Sequence, residues 1–159
     1  MDIASLTINK TILPKRILVV EDDKSMTVLL GRALLEIDSD TEIHWAASLE
    51  QAFKQVIQHT DISNRAPYDL VIADIFLEGN GTGLDFFKVM GETYPKLPFL
   101  VISSLAFEQV LEAISDEAKL NLNFLRKPFL FSQCKQKVHE ILNDHFSKGV
   151  SHGTDHDLS

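Results

Sequence analysis

Residues 17–23 read ILVVEDD: four branched apolar residues run directly into three acids. A short apolar run with no polar interruption suits a strand buried on both faces. The next fourteen residues decide its setting. Met26, Leu29, Leu30, Ala33, Leu34 and Ile37 recur at helical spacing, so they lie on one face of an amphipathic helix. A buried strand, a polar junction and an amphipathic helix make one βα unit, and repetition of that unit builds a parallel sheet covered by helices.

The pattern repeats along the chain. Residues 43–46 predict a second strand, and Ser48 is placed to cap a helix carrying Leu49, Ala52, Phe53, Val56 and Ile57. A polar stretch, residues 59–67, reads as a loop. Residues 68–73 predict a third strand that ends on Asp74, and a helix with Leu84, Phe87 and Met90 comes after a glycine-rich turn. Residues 99–102 predict a fourth strand ending on Ser103 and Ser104, and a fourth helix over 107–120 has Val110, Leu111 and Ile114 as its stripe. Residues 123–125 predict a fifth strand leading into Lys127 and Pro128. Cys134, Val138, Ile141 and Leu142 mark the last helix. The expected fold is α/β, a doubly wound five-stranded parallel sheet. Its domain spans 15–146, with an N-terminal extension at 1–14 and a disordered polar tail at 147–159.

Composition narrows the function. The chain has 159 residues, 45% of them hydrophobic, and a formal net charge of −8. An acidic surface is repelled by phosphate backbones, so direct nucleic-acid binding is not expected. The single cysteine, Cys134, forms no internal disulfide. With no secretory signal pattern and no apolar run long enough to cross a bilayer, a cytoplasmic chain without membrane insertion is the expectation.

The chemistry gathers where the strands end. Open parallel sheets bind ligands outside the carboxyl ends of their strands, where the strand order reverses. There the sequence offers Glu21, Asp22 and Asp23, then Asp74, then Ser103 and Ser104, then Lys127. Converging carboxylates repel one another unless a cation sits between them, and hard oxygen ligands without thiol or imidazole favour Mg²⁺. Carboxylates, a hydroxyl and an ammonium around Mg²⁺ would hold a phosphoryl group, and Asp74 could attack phosphorus to give an aspartyl phosphate. Any one of these residues alone is weak evidence, since an acid after a strand is more often a turn former or helix cap; their conjunction at four strand ends is the stronger signal. Gly79, Gly81 and Gly83 lack the spacing of a dinucleotide or P-loop motif and read as a flexible loop beside the site.

In this arrangement ILVVEDD, VIADIFL, LVISS and FLRKPF, in that order, resemble the receiver domain of two-component response regulators, single-domain type. The resemblance runs from about Arg16 to about Phe146. It implies a flavodoxin-like (βα)5 fold with strand order 2-1-3-4-5, and Asp74 as the phosphorylated residue. It further implies Asp22, Asp74 and the backbone carbonyl of Phe76 as Mg²⁺ ligands, with Glu21 acting through water. Ser103 and Lys127 would bind the phosphoryl group, and Ser103 with Phe124 would form the switch. Ser103 is preferred to Ser104 because it comes directly after the apolar run. The Lys127–Pro128 bond is often cis in the family. Implied partners are a histidine kinase or phosphotransfer protein and a downstream protein target, met at the surface of the fourth helix, fifth strand and fifth helix, with a homodimer possible. Glu78 stands where the family often has proline, in a loop one residue longer than usual.

Two other functions compete with a phosphoacceptor that catalyses only its own phosphorylation and dephosphorylation. One is a pseudo-receiver that binds partners without phosphorylation. The other is a Mg²⁺-dependent aspartyl-phosphate hydrolase, for which an acid is expected two residues after Asp74, where Phe76 stands.

Overall fold

The structure is a computed structural model that describes residues 13–75, 82–119 and 122–150. Phe76, Glu78, Gly79 and Gly81 of the predicted site loop lie outside the described residues, as do residues 1–12 of the extension and 151–159 of the tail. Five strands, β1 (Arg16–Val20), β2 (Glu42–Ala46), β3 (Leu70–Asp74), β4 (Phe99–Ser103) and β5 (Leu122–Arg126), form one parallel sheet in the order β2-β1-β3-β4-β5. The doubly wound fold and its strand order are those expected. β1 pairs with β2 on one side and β3 on the other, so the strand order reverses there and opens a crevice at the carboxyl ends.

Burial explains the unbroken apolar runs. β3 and β4 are buried along their whole length, whereas the edge strands β2 and β5 are largely half-buried. One face packs on α1 (Lys24–Ile37) and α6 (Phe131–Val150) through Leu30, Ala33, Leu34, Cys134 and Val138. The other packs on α2 (Leu49–His59), α3 (Gly83–Thr93) and α4 (Phe107–Glu112) through Ala52, Val56, Phe86, Met90 and Val110. Caps begin the long helices: the Asp23 carboxylate accepts from the backbone N–H of Ser25 at 2.8 Å and Met26 at 3.1 Å, and Ser48 Oγ accepts from Gln51 N at 3.2 Å. Asp23 is thus a helix cap.

The structure differs from expectation in three places, two of them helix boundaries. The fourth helix is not continuous over 107–120; it stops at Glu112, and a single turn, α5 (Asp116–Lys119), comes next. Ser115 Oγ accepts from Ala118 N at 3.3 Å, so the serine starts a new turn instead of extending the old one. The last helix runs to Val150, four residues into the predicted tail. Ile57 is 74% exposed although read as part of the α2 stripe, because it lies about 100° around the helix from buried Val56.

Gly83 joins the fold to the site. A Cβ there would lie 2.0 Å from the Asp74 carbonyl oxygen and 2.8 Å from its carbon, and Gly83 N donates to Ile75 O at 3.1 Å. Only a residue without a side chain lets α3 start this close to the end of β3. Gly83→Ala should therefore destabilise the chain by about 2–4 kcal/mol in urea denaturation. In the same helix a Cβ at Gly91 would meet nothing within 4 Å, so Gly91→Ala should be neutral or stabilising by up to about 1 kcal/mol. Equal midpoints for the two variants would contradict this reading of Gly83.

Candidate functional site

Backbone hydrogen bonds carry the strands' pairing one residue past their ends and so fix the side chains of the site. Glu21 N donates to Ala46 O at 2.9 Å, Ile75 N to Ile102 O at 3.2 Å, and Lys127 N to Ser103 O at 2.7 Å. Continuing the Val20–Ala73 register by one step sets Glu21 beside Asp74. The Lys127–Pro128 peptide is cis.

Four of the predicted residues meet at this edge. Lys127 Nζ donates to Asp74 Oδ2 at 2.6 Å and to Glu21 Oε2 at 3.2 Å. Glu21 is 3% exposed and Asp74 6%. Carboxylate oxygens of Glu21, Asp22 and Asp74 all lie within 4.8 Å of one another. Ser103 is wholly buried at the end of β4, and its Oγ accepts from Leu105 N at 3.0 Å. Ser104 is exposed. Phe124 sits farther along β5, half-buried, with its ring centroid 5.2 Å from that of Phe107.

The electrostatics arise from this crowding. Burial raises the pKa of Glu21 from 4.5 to about 7; the Asp74 charge pushes the same way, while the Asp23 N–H and Lys127 pull it down. Burial also disfavours the Lys127 ammonium, but the hydrogen bond and charge of Asp74, with Glu21 adding to them, outweigh it and hold Lys127 above the ordinary lysine value. Three carboxylates against one ammonium leave the cluster short of positive charge, and all its ligand atoms are hard oxygens. That donor set fits a hard divalent cation such as Mg²⁺.

Two features escaped the sequence reading. The direct bond between Lys127 and Glu21 was not among the expectations. Phe107, expected only to open the fourth helix, lies against the proposed switch residue. Its place four residues after Ser103, at the opening of a helix, was the available signal.

A family model described as the response regulator receiver domain matches residues 17–139. Solved structures are similar to the chain. One is NtrX from Brucella abortus, with TM-score 0.67 and 23% identity over 86% of this chain and 28% of that one. A second is a putative response regulator from Chloroflexus aurantiacus, with TM-score 0.63 and 24% identity over 82% and 98% of the two chains. A third is the signal receiver domain of an HD domain-containing protein from Pseudomonas fluorescens, with TM-score 0.69 and 16% identity over 95% and 99%. The chain thus spans little more than a quarter of NtrX but nearly all of the other two. No curated protein sequence matches it. Among the described residues, no helix is long and apolar enough to cross a membrane.

The raised pKa of Glu21 sets a pH dependence. Because the folded state holds this proton more tightly than the unfolded state, its contribution to stability is complete below pH 4.5 and is lost as pH rises through about 7. Without divalent cations, urea denaturation should show stability falling between about pH 5 and pH 8 by on the order of 2 kcal/mol. Glu21→Gln should flatten that fall. A fall as steep in Glu21→Gln as in wild type would refute the assignment.

Proposed function

The chain belongs to the response regulator receiver family, as its match over residues 17–139 shows, and on that premise we propose that Asp74 accepts a phosphoryl group from a phosphohistidine of a histidine kinase or phosphotransfer protein. The observation that carries this reading is the buried Asp74 carboxylate, held by Lys127 Nζ at 2.6 Å beside Glu21 and Asp22 at the sheet's switch point.

A carboxylate oxygen of Asp74 attacks phosphorus, the donor's P–N bond breaks, and the imidazole leaves with the bond pair and takes up a proton. Lys127 is placed to neutralise an oxygen of the transferred group. Ser103 Oγ, already accepting from Leu105 N–H, has its own hydrogen to donate to a second oxygen. Glu21, Asp22 and Asp74, with the Phe76 carbonyl implied by the family, would hold Mg²⁺. The bound cation supplies charge neutralisation to the phosphoryl oxygens.

Signalling needs a contact that differs between two states. In the proposed switch Ser103 moves toward the phosphoryl group and Phe124 turns into the space vacated, remodelling the face of α4, β5 and α6 for a downstream protein or a second copy of the chain. The chain then has no substrate beyond its own aspartate, and a cytoplasmic setting suits a kinase partner.

Incubation with Mg²⁺ and phosphoramidate, with intact-mass measurement afterwards, should add one phosphoryl group to wild type and none to Asp74→Ala. Lys127→Ala should slow labelling by about 10²-fold or more. Absence of labelling would favour a pseudo-receiver, and steady release of phosphate from organic monoesters would favour a hydrolase. Excess Mg²⁺ should also stabilise the unphosphorylated chain by about 2.7 kcal/mol at one hundred times its Kd. That gain should vanish in Asp22→Ala, and a melting temperature indifferent to Mg²⁺ in wild type would remove the cation from the site.

A further inference from the structure

The helix that opens beside the site is weakly built. α4 has six residues, its N-cap is Ala106, and no side chain of that cap accepts from the first turn; the Gln109 amide oxygen reaches back to Ala106 N at 3.1 Å instead. Val110 is its only buried residue. The other anchor is Phe107, 40% exposed, whose ring meets Phe124 at 5.2 Å between centroids and 35° between planes.

These contacts close a circuit around the phosphorylation site. Ser103 Oγ accepts from Leu105 N at 3.0 Å, Leu105 is two residues from Phe107, and Phe107 stacks on Phe124. Phe124 pairs in register with Val101 on β4, and Lys127 N returns to Ser103 O at 2.7 Å. Ser103 and Phe124 are therefore linked twice, once through the sheet and once through the start of α4.

We propose that Phe107 is a positioning residue of the switch, a latch whose ring holds Phe124 in its resting placement and ties that placement to α4. The inference rests on the phosphoacceptor reading and adds to it which residue sets the balance between the two states. An aromatic pair of this kind is worth enough to move a two-state equilibrium about 2- to 10-fold. Phosphoryl transfer from a small donor scales with the fraction of chain already in the receptive state, so removing the latch raises the rate.

The test is the labelling rate with phosphoramidate and Mg²⁺, read by intact mass, alongside urea denaturation. Phe107→Ala should label about 2- to 10-fold faster than wild type, while Phe107→Tyr, which keeps the ring, restores the wild-type rate. A packing role alone would lower stability without accelerating labelling. Should Phe107→Ala not fold, Phe107→Leu keeps apolar bulk without the ring and should show the same acceleration. If wild type is labelled and the folded Ala or Leu variant labels no faster, the latch alone is overturned. A wild type that takes up no phosphoryl group sinks the parent reading and the latch with it.

Discussion

One half-buried ammonium shared by two buried carboxylates is the constraint on which this molecule turns. Lys127 Nζ reaches both Asp74 and Glu21, and neither acid is exposed enough for water to take its place. An exposed ion pair is worth at most about 1 kcal/mol, whereas removing one partner of a fully buried pair costs about 3–5 kcal/mol because an uncompensated charge is left behind; with Lys127 partly exposed, this cluster lies between those limits. The three residues stand at the carboxyl ends of β1, β3 and β5, far apart in sequence. Their meeting demands that the strands stand in this order and end level with one another, and the backbone bonds at Glu21, Ile75 and Lys127 hold those ends in place.

A rigid platform and a loosely held rim result. β1, β3 and β4 are covered on both faces, with Phe86 and Phe87 packed against Phe99 on one side and α1 and α6 closing the other. The segment after β4 is different. Its first helix is short, is capped by alanine, and breaks before α5. Elements with few buried apolar contacts open at low cost, and this one starts four residues after Ser103. In the proposed reading stability and responsiveness are thus separated in space: the sheet fixes the charges, and the rim would move without disturbing them.

Much of this was legible because the physics behind it is local. Continuous apolar runs disclose central strands, since burial on both faces forbids alternation, and polar residues directly after such runs must fall at the sheet's carboxyl edge. Asp74, Ser103 and Lys127 could be placed on that reasoning. The misreadings have equally local causes. Val110, Leu111 and Ile114 keep helical spacing across a break that Ser115 makes by capping a new turn, and periodicity is blind to a cap inside a stripe. Phe107 has the composition of core packing, and only the fold shows that its neighbour is Phe124. The Glu21 bond to Lys127 joins residues 106 positions apart, so it depends on β1 and β5 lying on opposite sides of β3, a fact of topology that no short motif carries.

Charge links the platform to the rim. With all groups ionised, Glu21, Asp22, Asp74 and Lys127 leave two negative charges unbalanced, and burial answers by pushing Glu21 toward about 7. Near neutrality a proton or a hard cation would relieve that repulsion, and the two would compete for the cluster. In the proposed reading, a cation that displaces the proton also brings the cluster close to neutral, and a phosphoryl group on Asp74 makes it negative again. The groups this reading assigns to that new charge are the Lys127 ammonium and the Ser103 hydroxyl. Lys127 is already held by two acids and has little distance to travel, whereas Ser103 is tied to the loosely anchored start of α4. In that reading movement is cheapest in the segment that follows Ser103, and the start of α4 would be where a change of charge at Asp74 turns into a change of shape.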